Sequence, residues 1–408
     1  MHILFCHDTY YSCKRDGTVY SYGAFPYELW ERRFLPYFES ITVLGRKKKL
    51  RPDETGVLAV SSGKNVDHVL LANIDSPVKR FTKYTRMYQK IKEQVDRADA
   101  VVIRGPVEFG MMAAKAARES GTPYAIEMRG CAYDKTYYKG DWFNKIYAPI
   151  KFKHAQNMVR HADAVMYVTE NFLQDRYPTE GLMESASNVE IAAPPEYVVN
   201  QRLERIKSDP DCLNIGMIGN FGSGLKGLNV AIEALGLVEK QRKLERDPSI
   251  PDFKFKVLGQ GMPALWKGLI KAQDLEGKVE FCGTISGGKE VLEWLDEIDI
   301  YIQPSFHEGL PRSLIEAMSR GCPALCSDAG GAQELLANDF IHNRGDHKQL
   351  AEHIIGLAAQ EKRIIAGQNN FDKSKNYTRE VLVPRRHAFW SNFAKSVESK
   401  NSKHKKAA

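Results

Sequence analysis

Two glutamates with seven residues between them, Glu308 and Glu316, bracket a Gly309-Leu310-Pro311 turn. A run of apolar, strand-like residues at 299–304 precedes the turn and a helical pattern at 313–320 follows it, which puts the turn at the carboxyl end of a strand. A helix N-terminus there offers unpaired N–H groups and a partial positive charge, which suit a phosphate. Pro311 fits the first helical position, and Gly309 lets the backbone approach a ligand. Glu316, one turn further on, can aim two acceptor oxygens at paired hydroxyls. A sugar nucleotide carries both a diphosphate and diols. The bland alternative is a solvated loop acid followed by an ordinary helix acid.

A second candidate lies upstream. Residues 219–227 form a glycine-rich loop that opens a helix, with Lys226 placed to supply compensating charge to a phosphate; an exposed lysine at a helix start is the competing reading. Breaking an anomeric C–O bond puts negative charge on the departing diphosphate. Lys226, the amides near Gly309 and the helix dipole after Pro311 would stabilise that charge with no metal required. A hydrolytic carboxylate pair fits less well, since Glu308 precedes the helix and Glu316 lies on it.

Both candidates need strand ends to hold them, and strand and helix patterns alternate along the whole chain, implying parallel sheets covered on both faces. Strands are predicted near 2–6, 41–45, 57–60, 68–73, 100–104, 123–128, 163–169 and 188–192. The rhythm restarts at Leu213 with strands near 213–219, 253–259, 279–284, 299–303 and 323–327. Residues 192–211 are predicted to be a polar linker, and residues 7–22 a polar, aromatic loop facing the cleft. At 408 residues and 43% hydrophobic, the chain suits two doubly wound domains with a cleft between them. No apolar run reaches the ~18 residues that a membrane span requires, and the first residues suggest a strand, so a soluble, cytoplasmic protein is expected. Seven dispersed cysteines suggest neither a disulfide framework nor a zinc cage.

The chain resembles the retaining GT-B glycosyltransferases of the family-4 type (group 1), whose signature is the glutamate pair matched by Glu308 and Glu316. Further pieces in the same order are Gly216 to Gly219, Leu225-Lys226-Gly227, Val257 to Gly261, Gly283, Pro304-Ser305, Gly321 to Pro323, Gly330-Gly331 and Glu334. The match is good over about 213–350 and only topological over 1–200. It implies an α/β GT-B fold of two Rossmann-like domains facing a central cleft. Residues 1–200 would bind acceptor, 201–375 would bind donor, and 376–408 would hold a kinked helix crossing back to the first domain, plus a basic tail.

The resemblance also implies roles. Glu308 would contact hydroxyls of the donor sugar, Glu316 the ribose, Thr284 and Ile285 the base, Gly309 and Leu310 the donor, and Lys226 the diphosphate. Asn220 stands where the family has a diphosphate-binding arginine, and Gly17 takes the place of one glycine of a pair. Arg129 stands about where many relatives carry a histidine; it is a catalytic candidate, with a structural ion pair to Glu127 as the alternative. His7, Asp8 and Arg104 are weaker candidates at strand ends.

The net charge of +7 gathers in 46–51, 145–160 and 400–406. The basic, aromatic stretch from Trp142 to Lys153 could rest on the anionic inner face of the plasma membrane, or could be a solvated helix with buried aromatics. No base-reading module accompanies the charge, so nucleic acid is not an expected partner. The expected function is transfer of a sugar from a UDP- or GDP-sugar co-substrate, without other cofactor, to a saccharide or lipid-linked acceptor in cell-surface polysaccharide or glycolipid synthesis. A silent sugar-nucleotide-binding scaffold and a sugar-nucleotide epimerase are the alternatives.

Overall fold

The computed structural model describes residues 1–23, 25–50, 58–72, 77–189, 191–208, 210–222, 224–244 and 250–407. Arg51, Val57 and Glu190, which fall in the predicted basic cluster and two predicted strands, lie outside these residues. The first half forms a nine-stranded sheet: β1 (His2–Cys13), β2 (Val19–Ser21), β3 (Ser40–Lys47), β4 (Ala59–Val60), β5 (Val66–Leu71), β6 (Ala100–Gly105), β7 (Tyr124–Met128), β8 (Ala164–Tyr167) and β9 (Leu182–Ser185). Its order is β4-β2-β1-β6-β7-β8-β9, with β3 paired to β1 and β5 to β3. The second half forms a six-stranded parallel sheet, β12-β11-β10-β13-β14-β15, from β10 (Cys212–Ile218), β11 (Asp252–Leu258), β12 (Val279–Gly283), β13 (Ile300–Gln303), β14 (Ala324–Ser327) and β15 (Ile341–His342). Central strands such as β6 and β13 are buried at every residue, as parallel strands covered on both faces must be. These are two Rossmann-like doubly wound domains, as expected.

Three expectations are corrected. Residues 7–22 are not a cleft loop: β1 continues to Cys13 and turns into an antiparallel hairpin with β2, pairing Tyr11 with Ser21. Tyr11 is fully buried, so aromatic packing carries the strand past the polar residues that suggested a loop. The predicted linker at 192–211 is mostly a helix, Glu196–Lys207, docked on the second domain. Its buried Arg202 donates to the carbonyls of Leu295 (2.8 Å), Ile298 (2.6 Å) and Arg320 (3.1 Å). The last strand of the first sheet is at 182–185; of the stretch predicted at 188–192, Ile191 makes an isolated bridge with Thr378.

That bridge marks where the chain passes between domains. Arg379 N–H donates to the Ile191 carbonyl at 2.9 Å, so the outgoing and returning crossings are hydrogen-bonded to each other. The returning chain is one helix, Arg379–Ala407, with Pro384 inside it. Phe389, Trp390, Phe393 and Val397 are buried, and Trp390 meets Phe34 edge-on at 5.1 Å, so the helix crosses back onto the first domain. Burial of about 1.5–3 kcal/mol per large side chain makes this a strong attachment.

Arg202→Ala leaves three buried carbonyls without their donor. It is expected to lower unfolding free energy by about 3 kcal/mol in urea titrations; a change below about 1 kcal/mol would contradict the role given to Arg202.

Candidate functional site

The turn after β13 is built around one buried carboxylate. Glu308 Oε1 accepts from Lys226 Nζ at 2.6 Å, Ser305 Oγ at 2.7 Å and Gln303 Nε2 at 2.9 Å. Gln303 is in turn oriented by Tyr301 and Ser313, whose hydroxyls donate to its carbonyl oxygen. Burial pushes the Glu308 carboxyl up, but the charge of Lys226 and the hydrogen bonds from Lys226 and Ser305 outweigh it and hold the group below the usual carboxylate range. With three donors on Oε1, Oε2 is the oxygen left for a ligand hydroxyl.

Glycines let Lys226 reach this carboxylate. A Cβ on Gly227, at φ +72°, would fall 1.8 Å from the Pro304 carbonyl, and one on Gly219 would press on the Lys226 stem at 2.9 Å. The lysine therefore lies across Gly219 and ends at Glu308. Asn220 is exposed, and its Oδ1 accepts from Gly222 N–H at 3.0 Å, so it shapes the loop locally.

Pro311 is the N-cap, one position earlier than expected, and the helix runs Arg312–Ser319. Glu316 is half-buried on it. Burial raises the Glu316 carboxyl, which Arg312 only partly opposes. Thr284 and Ile285 are exposed just after β12, and Leu310 is buried. Gly309 touches the other domain: a Cβ there would stand 1.9 Å from the Arg129 carbonyl.

On the first domain His7 within β1, Arg104 near the end of β6 and Arg129 just after β7 border one cavity of about 280 Å³, which His307 lines from the second domain. The ion pair to Glu127 that was the alternative for Arg129 is not seen among the described residues; Glu127 is paired with Arg104 at 3.2 Å. Asp8 pairs with Arg46 at 2.8 Å and accepts from the N–H groups of Glu108 and Phe109, starting the helix Glu108–Ser120. Gly17 sits in the β1–β2 turn at φ +88° facing open space, a conformation that hairpin geometry explains without a ligand.

Sequence reasoning missed the roles of Gln303 and His307, and the contacts that join the domains beside the site. Glu334 accepts from the N–H groups of Glu170, Asn171 and Phe172 at 2.6–2.9 Å, capping a helix of the opposite domain. Arg344 reaches Asp134 at 3.1 Å and Asp328 at 2.9 Å. The glutamate stood out among the motif residues, but its partner N–H groups belong to a segment 160 positions away, which no local pattern reveals.

Residues 212–360 match the family model described as Glycosyl transferases group 1. The chain is similar to protein CapJ of Staphylococcus aureus, 27% identical over 380 residues covering 91% of this chain and 90% of that protein. It is also similar to the amylovoran biosynthesis glycosyltransferase AmsK of Erwinia amylovora, 31% identical over 150 residues, 34% of this chain and 35% of that one. Among solved structures, Anabaena HepE in complex with UDP-glucose superposes with a TM-score of 0.62 at 16% identity, covering 98% of this chain and all of that one. The fold is GT-B.

A carboxyl whose pKa is raised by folding binds its proton more tightly in the folded chain. It therefore subtracts stability above its folded pKa, and that cost vanishes as pH falls through it. Glu316→Gln is accordingly expected to raise the melting temperature of the unliganded protein at pH 7.5, with the gain fading toward pH 4.5, while nucleoside diphosphate affinity drops about tenfold. Equal melting temperatures at pH 7.5 together with unchanged affinity would remove Glu316 from the site.

Proposed function

We propose that the chain is a retaining, metal-independent glycosyltransferase that moves a sugar from a nucleotide-sugar donor to a saccharide or lipid-linked saccharide, in synthesis of a cell-surface polysaccharide or glycolipid. The observation that carries this reading is the Lys226–Glu308 pair at the base of the cleft, beside the N-terminus of the helix Arg312–Ser319. Lys226 and the helix end meet the negative charge that grows on the departing diphosphate, and Glu308 Oε2 takes a hydroxyl of the donor sugar. Glu316 holds the ribose diol, Thr284 and Ile285 border the base, and Gly309 and Leu310 form the floor. Residues up to about 200 serve the acceptor and 201–375 the donor, the helix from 376 onward tying the two together. The polysaccharide assignment draws on the name of AmsK, and a UDP-sugar donor on the ligand of HepE; a GDP-sugar is the other candidate.

A panel of UDP- and GDP-sugars tests this by thermal shift and nucleotide release with chelator present. One donor is expected to stabilise the protein, and Lys226→Ala to slow its turnover at least a hundredfold, the scale of losing one transition-state charge partner. Binding without turnover would favour the silent scaffold, for which the local engagement of Asn220 is the supporting observation. Conversion of donor alone would favour the epimerase.

The protein would act on the cytoplasmic face of a membrane. Among the described residues no helix is long and apolar enough to cross one. The helix Trp142–Arg160 instead exposes Trp142 (74%), Phe143, Ile146 (63%) and Ile150, which fall within an arc of about 100° that also contains Lys153. The alternative of buried aromatics at this helix start does not hold for Trp142 and Phe143. Sedimentation with vesicles containing an anionic phospholipid is expected to carry down the wild type but not Trp142→Ser/Ile146→Ser; a wild type that stays in the supernatant refutes the membrane contact.

A further inference from the structure

The cavity between His7, Arg104, Arg129, Lys135 and His307 has more positive charge than its surroundings neutralise. Arg104 is 95% buried, and although Glu127 lies 3.2 Å from its Nε, neither Nε nor Nη1 has a hydrogen-bond partner among the described residues. Glu127, fully enclosed, is the single carboxylate within ion-pair distance of Arg104, and no ion pair to Arg129 or Lys135 is seen among the described residues. The nearby acid Asp134 is taken by Arg176 and Arg344, and Asp8 by Arg46. Burial, then Arg104, pushes the Arg129 guanidinium down to about 9, which still leaves it charged at neutral pH. Burial and the same cations hold His7 well below its ordinary value, and burial lowers His307 to about 4, so both imidazoles are neutral and His307 Nδ1 is unpartnered. Two arginines and a lysine around a cavity with neutral imidazoles favour an anion with several acceptor oxygens.

The donor diphosphate already has partners on the other side of the cleft, in Lys226 and the helix at Arg312. The two sites are divided where Gly309 touches the Arg129 carbonyl and His307 lies against Gly130. We propose that this cavity binds a phosphoryl group of the acceptor, held by the guanidinium groups of Arg104 and Arg129 with Lys135 at its exposed mouth. The inference rests on the glycosyltransferase reading for the word acceptor, and names the acceptor class as a phosphorylated one: either a polyprenyl diphosphate-linked sugar or a water-soluble sugar phosphate. Planar guanidinium forks match phosphoryl oxygens in pairs, which a neutral saccharide would leave unanswered.

The test is calorimetric titration of the full chain, first with UDP and GDP and then, at saturating nucleotide, with inorganic pyrophosphate, geranyl diphosphate, glucose 1-phosphate and methyl glucoside. The wild type is expected to bind a second equivalent of the phosphorylated probes and none of the glucoside, more weakly as salt rises. A preference for geranyl diphosphate identifies the lipid-linked source, and one for glucose 1-phosphate the soluble source. Arg129→Gln is expected to weaken the second event at least tenfold with nucleotide affinity within twofold of wild type, and Arg129→Lys to recover part of it. Lys135→Gln, at an exposed position that cannot disturb the core, is expected to weaken it about threefold. No second equivalent at millimolar probe, or unaltered binding in both neutral variants, overturns the proposal. Parallel loss of nucleotide and probe also overturns it, by making the cavity part of the donor site. If no nucleotide binds, the probes are titrated alone: phosphoryl binding lost in Arg129→Gln then upholds the cavity while the donor reading fails.

Discussion

A carboxylate taken out of water must be given its counter-charge and its hydrogen bonds, and Glu308 imposes that demand on its domain. Lys226 comes from 82 positions upstream, so the loop at 219–227 has to close against the β13 turn. That closure explains the glycines: Gly227 presses on the Pro304 carbonyl and Gly219 makes room for the lysine stem. Gln303 faces Glu308 with its amide nitrogen because Tyr301 and Ser313 occupy its oxygen. Glu308 Oε1 keeps three donors and Gln303 Oε1 two, so the network holds the site in one arrangement.

Beside the site the domains meet through polar contacts. A side-chain cap of the kind Glu334 supplies is worth about 0.5–2 kcal/mol, while the Arg344–Asp134 pair is buried, so removing either partner alone would cost more. Gly309 sets a further limit, since its bare Cα lets the turn after β13 meet the Arg129 backbone without a spacer.

Much of the second domain was legible in the sequence because its chemistry is local. Glu308, Gly309, Pro311 and Glu316 lie within one turn and one short helix, and glycines directly follow β10 and β11 and close β12. The first domain was less legible for physical reasons. Residues 7–13 mix polar and aromatic side chains without alternating, which suggested a loop, yet Tyr11 packs inward and draws them into β1. The helix Glu196–Lys207 looked like a linker because polar and charged residues outnumber its apolar ones, although Val198, Val199 and Ile206 are buried beside Arg202, whose hydrogen bonds to three remote carbonyls no local pattern reveals. The pairing of Glu127 with Arg104 rather than Arg129 depends on strand neighbours, which spacing along the chain does not encode.

The bridge between Ile191 and Thr378 gives the two crossings a joint identity. Two independent tethers would allow each domain to swing, slide and twist. Tethers bonded side by side act as a short ribbon, which bends easily across its flat face and resists shear along its length. A motion that bent this ribbon would keep Gly309 and the Arg129 carbonyl in one register, where a sliding motion would not. The placement of one sheet against the other is thus tied to the connection itself.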